Sequence, residues 1–419
     1  MLSPQAAYGQ WVAACTAAGW HADPVIEQVP IRDGLGRVTA AAARARWPFP
    51  RFACAAMDGI AVAARVAGGS AEPGQRLLPG AAFCWVDTGD PLPAGTDTVV
   101  ERERVELRAD GTALVTGPVT RGHNVRSVGE DFQAGELLVP AGRRLRPADL
   151  AAAAAAGHVA LPVTRQPVVT IIPTGDEIRS VDSVLGPGEF TDTNSLLLAA
   201  RASQAGAVAV VTDVQPDNPD VLAAAARDAA LTADLVLVIA GSSRGRDDFT
   251  PAVLAQVGGL AVHGVAVRPG HPVLLGYVKT GRSGSLLPAG ANTSRVTGTV
   301  PAIGVPGYPL AAAVIFELFA APLLAQLQGS LIPDRLPLHA RLSRDWSSPP
   351  DIEDWVLVSL NLAGEVAGQP GGGLVATPVK GRGAGAISRL VRADAWWRIP
   401  IGQGQFASGT YIEARPTTA

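Results

Sequence analysis

Between about residues 165 and 330 apolar runs and amphipathic stretches alternate along the chain. "PVVTIIPTGDE" reads as a strand and a loop, and "DTNSLLLAARASQAG" as a helix closed by Gly206. "AVAVVTD" follows as a strand, then "NPDVLAAAARDAALTA" as a helix opened by Asn218, with Pro219 in its first turn. The apolar run Leu235–Ile239 suits a central strand covered on both faces. The helix "DDFTPAVLAQVGG", the strand "VPAIGV" and a long helix from Pro309 to Gln328 complete the series. Such alternation predicts a doubly wound parallel sheet, with ligands beyond the carboxyl ends of its strands. The loops "PTGDE", "AGSSRGRDD" and "VPGYP" each follow a strand and are expected at one rim.

Elsewhere the pattern changes. From about 47 to 135, "VVERERVELRADGTALVTGPV" alternates over two arms joined at Asp110-Gly111, a hairpin signal, among Gly- and Pro-rich turns. The tail from about 331 is β-like again, with "DWVLVSLNL", "GLVATPV" and "AWWRIPIG" separated by glycine-rich turns. Residues 1–46 and 136–164 are helical or irregular, and no internal repeat is visible. The expected division is therefore a linking domain (1–46 plus 136–164, its first helix free to pack on the sheet domain), an inserted β domain (47–135), the α/β domain (165–330) and a C-terminal β-barrel (331–419).

Composition narrows the class. A chain of 419 residues suggests about two to four domains. A formal net charge of −3 gives no nucleic-acid footprint. Lys279 and Lys380 are the only lysines, so arginine carries almost all the positive charge. Cys15, Cys54 and Cys84 form no CxxC pair or disulfide framework, which favours a reducing, cytoplasmic setting. The first cationic residue is Arg32, so no signal-peptide n-region is seen. "AAAVIFELFAAPLLAQL" is broken by Glu317 and Pro322, and no membrane span is expected.

Several short stretches carry carboxylates at turns: "AAMDGIAV" (55–62), "VDTGD" (86–90), "GED" (129–131) and "TGDE" (174–177). Each is also readable as ordinary turn and cap chemistry, with Asp58-Gly59 a simple turn. The Gly-Ser loop at 241–246 is readable as a helix start that binds any anion. His123, His158, His263 and His339 have no ligand spacing and are read as structural.

Taken together, the signatures "AAMDGIAV", "VDTGDPLPAGTDTVV", "NVRSVGEDFQAGELLVPAG", "PTGDEI", "DTN", "AGSSRGRDDF", "RPGHP", "GVPGYPLAA" and "RADAWWRIP" closely resemble, in order and spacing, the molybdopterin molybdenumtransferase family (bacterial MoeA and the gephyrin E domain). The resemblance implies a multi-domain α/β fold: a sheet domain shared with pterin-binding relatives, an inserted β domain, a linking domain and a C-terminal β-barrel. It implies a homodimer whose cleft combines both subunits, and insertion of molybdate into adenylylated molybdopterin with release of AMP. It further implies small-molecule substrates, with no nucleic acid and no membrane.

By the same resemblance Asp58, Thr88, Asp131, Glu177 and Asp248 match the catalytic cleft, and Asp58, Glu177 and Asp248 the magnesium ligands. Asp192 and Asn194 match the pterin-side loop, and Pro306 and Pro309 shape the turn beside it. Gly241, Ser242, Ser243 and Gly245 fall in the loop that the resemblance makes the phosphate-binding half, where Arg244, Arg246, Arg268 and His271 are the candidate cations.

That cationic half departs from the family pattern. Where the family has "K…KPGKP" the chain has Gly264, Arg268 and His271; "GGxSxG" becomes "AGSSRG" at Ala240, and "PGNP" becomes "PGYP" at Tyr308. "GRED" becomes "DIED", with Ile352 in the arginine's place, and "GSxxxSSL" becomes "GAGAISRL", with Ala384 opposite a serine. Arg244 and Arg246 are new to their loop and are candidates to restore the charge. The leading expectation is the transferase; a non-catalytic molybdopterin- or molybdate-binding paralogue, and an enzyme acting on another nucleotide-linked pterin, stay open.

Overall fold

The computed structural model describes residues 1–67, 75–240, 249–280, 298–330, 337–362, 373–381 and 383–417; the side chains of residues 75, 76 and 240 are outside that description. Two compact units result: Glu27–Val163, and Met1–Ile26 with Thr164–Ala419.

The larger unit is built on a six-stranded sheet ordered Val208–Val211, Val168–Pro173, Leu235–Ala240, Thr299–Pro306, Leu274–Lys279, Gly258–His263. The first four strands are parallel, as the alternation predicts. Leu274–Lys279 runs antiparallel to both its neighbours, Thr299–Pro306 and Gly258–His263, and extends the predicted parallel sheet by a reversed strand. The reason is connection length. Only residues 264–273 join Gly258–His263 to Leu274–Lys279, too few for the helical crossover that parallel neighbours need.

Helices cover both faces. Asn218 caps Pro219–Ala230 by accepting from the Asp220 and Val221 amides, and Leu222, Ala223 and Ala226 pack with Val253 and Leu254 of Thr250–Val257 on one face. The other face receives Asn194–Gln204 and the Pro309–Gln328 segment, which contains a π turn at Phe316–Ala320. That segment is long and apolar enough to cross a membrane, but Leu310, Val314, Phe319, Leu323 and Leu327 are buried in the sheet's core. The first helix, Pro4–Ala17, joins the same core through Ala7, Trp11 and Cys15, and Trp11 Nε1 donates to the Gly276 carbonyl (2.6 Å).

The C-terminal strands close on themselves. Glu353–Leu362 pairs with both Leu374–Pro378 and Ala395–Ile399, and Leu338–Leu342 and Tyr411–Pro416 complete the barrel. The period of two assigns the faces. Val356, Val358, Ala395, Trp397 and Ile399 fill the barrel, while Leu357 and Trp396 turn outward into the sheet domain's core.

In the smaller unit Gly59–Val62 lies between Phe83–Val86 and Thr98–Glu101, antiparallel to both. The Asp110-Gly111 hairpin forms as expected, pairing Val105–Leu107 with Ala113–Thr116. The helix Pro147–Ala155 packs by Ala153 against Leu145, Leu161 and Val163.

Candidate active site

Three adjacent parallel strands carry the rim of the larger unit. Pro173 pairs with Ile239 and Ala240 with Pro306, so the segments that follow leave from one edge. Thr174 Oγ1 donates to the Ile239 carbonyl (2.7 Å), tying the start of "TGDE" to the strand that leads into the Gly-Ser loop. Gly241, Ser242, Ser243, Arg244, Gly245, Arg246 and Asp248 of that loop lie outside the described residues.

In "TGDE" Gly175 has φ +134°, and an added Cβ would fall 2.7 Å from Ile178 and 2.9 Å from the Glu177 carboxylate. The turn thus needs glycine, and it leaves Asp176 and Glu177 exposed. Beside it is a groove of about 510 Å³ whose lining includes Asp176, Arg179, Ser180, Asp213 and Gln215.

"DTN" opens the next helix. Asp192 accepts from the Ser195 amide (3.0 Å) and supplies the cap that the Thr193 side chain does not. Asn194 is buried; its amide nitrogen donates to the Gly307 carbonyl (2.6 Å), while its Oδ1 has no hydrogen-bond partner. Asn194 therefore pins the turn between Pro306 and Pro309. Pro306 is buried at the strand's end, Pro309 starts the helix, and Tyr308 between them is exposed.

The two basic positions are engaged within the protein. Arg268 makes a two-pronged pair with Asp354: Nε to Oδ1 at 3.1 Å, and Nη2 to Oδ2. Asp354 is buried and also accepts from Ser348 Oγ (2.9 Å). His271 is half-buried with Nδ1 3.1 Å from the Val265 carbonyl. Gly264 has φ +79°, so a lysine there would be strained.

The smaller unit holds the other predicted residues. The Thr88 amide and hydroxyl both donate to Asp58 Oδ1, each at 2.7 Å. The Thr88 hydroxyl, then its amide, hold the exposed Asp58 carboxyl below its usual range. Asp58-Gly59 is not a simple turn: Gly59 begins the central strand, and a Cβ there would lie 1.9 Å from the Val100 carbonyl oxygen. Asp131 is exposed, anchored through its amide to the Phe49 carbonyl (3.0 Å), in a loop whose Gly129 has φ +70°.

Among the described residues, no group of three or more His, Cys, Asp or Glu side chains forms a metal cage. Sequence reasoning did not find Asp354, the partner of Arg268. They are 86 positions apart, and no local signal links them.

Family models match most of the chain: the MoeA N-terminal region (domain I and II) over residues 6–157, a probable molybdopterin binding domain over 170–326, and the MoeA C-terminal region (domain IV) over 339–416. A molybdopterin molybdenumtransferase from Haemophilus influenzae is 27% identical over 409 residues, covering 93% of each chain. Molybdopterin molybdenumtransferase 2 of Mycobacterium tuberculosis is 30% identical over 343 residues, covering 77% of this chain and 80% of that one. The crystal structure of a molybdopterin biosynthesis MoeA protein from Pyrococcus horikosii superposes with a TM-score of 0.75 at 26% identity, covering 100% of both.

Proposed function

The chain belongs to the molybdopterin molybdenumtransferase (MoeA) family of molybdenum-cofactor biosynthesis, and from that premise we propose that it inserts molybdate into adenylylated molybdopterin and releases AMP. The observation that carries this reading is the shared rim, where "TGDE", the Gly-Ser loop and the Pro306–Pro309 turn leave adjacent strands in register. Loops converging beyond the carboxyl ends of parallel strands form a pocket for a phosphorylated ligand.

The proposed division of labour follows the chemistry of each group. Glu177 and Asp248 would be the hard-oxygen ligands for a magnesium ion. Asp58 keeps Oδ2 clear of the two Thr88 bonds, which both fall on Oδ1, and so has an oxygen for a cation. Carboxylate oxygens of this kind suit magnesium, which takes one or two of them and completes its shell with water and substrate phosphates. When bound, the ion neutralises phosphate charge. Thr88 keeps Asp58 ionised and oriented, and Asp131 is the further acidic member. Asp192 and Asn194 hold the pterin-side helix start and turn in shape, with Pro306 and Pro309 fixing the ends of that turn. The Gly241–Arg246 amides and arginines receive phosphate, with Arg268 and His271 as basic neighbours. The enzyme works as a homodimer in the cytoplasm, where its three free cysteines stay reduced.

One observation favours a second reading, a molybdopterin- or molybdate-binding chain without turnover. Arg268, which aligns with a family lysine, is committed to Asp354. The discriminating experiment supplies purified chain with adenylylated molybdopterin, magnesium and molybdate. The transferase releases AMP only when molybdate is present, and Asp248→Asn abolishes that release at an unchanged melting temperature. Undiminished release by this variant would remove Asp248 from the site; binding without release would favour the second reading.

A further inference from the structure

The barrel segment that packs on the rim carries a cation, Arg389, that no sequence signature assigns. The segment 383–392 lies against the Pro306–Pro309 turn: the Leu310 amide donates to the Ala384 carbonyl (3.1 Å). Gly385 abuts Tyr308, and a Cβ on it would sit 3.3 Å from the ring. From the short helix Ser388–Val391, the Arg389 side chain folds back across Gly381. A Cβ at Gly381, whose φ is +139°, would come within 2.9 Å of Arg389 Cδ, so glycine keeps that passage open.

The guanidinium is poorly served where it ends. Nη1 and Nη2 reach the Gly383 and Val379 carbonyls only at 3.4 Å each, and the buried Nε has no hydrogen-bond partner. Asp354 is the carboxylate whose field reaches it. Both oxygens of Asp354 are already bound by Arg268, and one also by Ser348. One carboxylate thus faces two guanidinium groups. Burial lowers the Arg389 pKa, against the opposing pull of Asp354.

The sequence shows the same exchange. Position 352, two residues before Asp354, holds isoleucine where the family pattern has arginine. Position 389 holds arginine where the "GSxxxSSL" pattern has its last serine.

We propose that Arg389 is an anion-binding, specificity-determining residue of this site, replacing the cation missing at position 352 and receiving the tetrahedral molybdate oxyanion beside Tyr308. This rests on the transferase reading above and deepens it. A planar guanidinium with unspent donors suits an oxyanion, and a charge-assisted contact of this kind changes affinity by about ten- to a hundredfold.

Calorimetry on the full chain with sodium molybdate tests the assignment, using the parent, R389S and R389K. The expected result is a loss of affinity of about tenfold or more in R389S. R389K, which keeps the charge and a stem to pack over Gly381, should bind more tightly than R389S and less tightly than the parent. Melting temperatures are recorded for all three, and if R389S fails to fold, weaker binding by folded R389K supports the same role for Arg389. Parent-like binding by folded R389S or R389K, with molybdate-dependent AMP release intact in the parent, overturns the role of Arg389 and leaves the transferase reading standing. A parent chain that neither binds molybdate nor releases AMP overturns both.

Discussion

At the scale of single residues, Thr88 governs the charge of Asp58. Two donors on one oxygen stabilise the ionised form, so Thr88→Val, which removes the hydroxyl and keeps the amide, should raise the Asp58 pKa toward its ordinary value. Carboxyl-carbon NMR titration measures this, and an unmoved pKa would mean the amide suffices. Arg268 poses the opposite case. Arg268→Ala leaves the buried Asp354 carboxylate with only the Ser348 hydroxyl and the field of Arg389, and the cost should approach about 3 kcal/mol in urea unfolding. A loss within about 0.5 kcal/mol would show the pair to be idle, as exposed pairs often are. These residues also mark what a sequence can reveal. Arg268 is legible as a cation in a loop that ought to meet a ligand, but its partner is fixed by the parallel pairing of Val267–Arg268 with Glu353–Asp354. Asn194 likewise reads as a ligand residue, and only the fold shows its amide spent on Gly307.

At the scale of elements, local signals succeed where the chemistry is local. Asn218-Pro219 opens a helix, Asp110-Gly111 turns a hairpin, and the alternation in "DWVLVSLNL" becomes the longest barrel strand. The edge strand Gly258–His263 is hidden because Gly258-Gly259 reads as the end of a helix. Here both glycines admit close cross-strand contact: a Cβ at Gly258 would meet the Tyr277 carbonyl oxygen at 2.0 Å, and one at Gly259 the Tyr277 ring at 2.6 Å. That requirement is tertiary and leaves no periodic trace. The helix Pro147–Ala155 yields a pH prediction. Burial would raise the Asp149 pKa, but hydrogen bonds from the Arg146 side chain and amide and from Arg143 outweigh it and hold it at about 2, against an ordinary 3.8. A depressed carboxylate stabilises the fold above its unfolded pKa and loses that contribution as pH falls through the folded value. Asp149 should thus contribute on the order of 2 kcal/mol at neutral pH, fading between about pH 4 and pH 2. Asp149→Asn should remove that acid-limb dependence from the unfolding free energy of the chain; a parent-like acid limb would show that Asp149 does not set it.

At the scale of the whole molecule, the order of motifs along the chain carries the family, and the departures from its pattern gather at the cationic positions. Gly264, at φ +79°, could not be replaced by lysine without backbone strain. A homodimer should appear in sedimentation equilibrium of the full chain as twice the 42.9 kDa chain mass; a monomer at micromolar concentration would contradict it. Catalysis itself is read most plainly from the number of AMP molecules released per chain under excess adenylylated molybdopterin, magnesium and molybdate. A transferase should release many AMP per chain, rising with time and absent without molybdate. A release that stops at or below one AMP per chain, or that proceeds equally without molybdate, would contradict that activity.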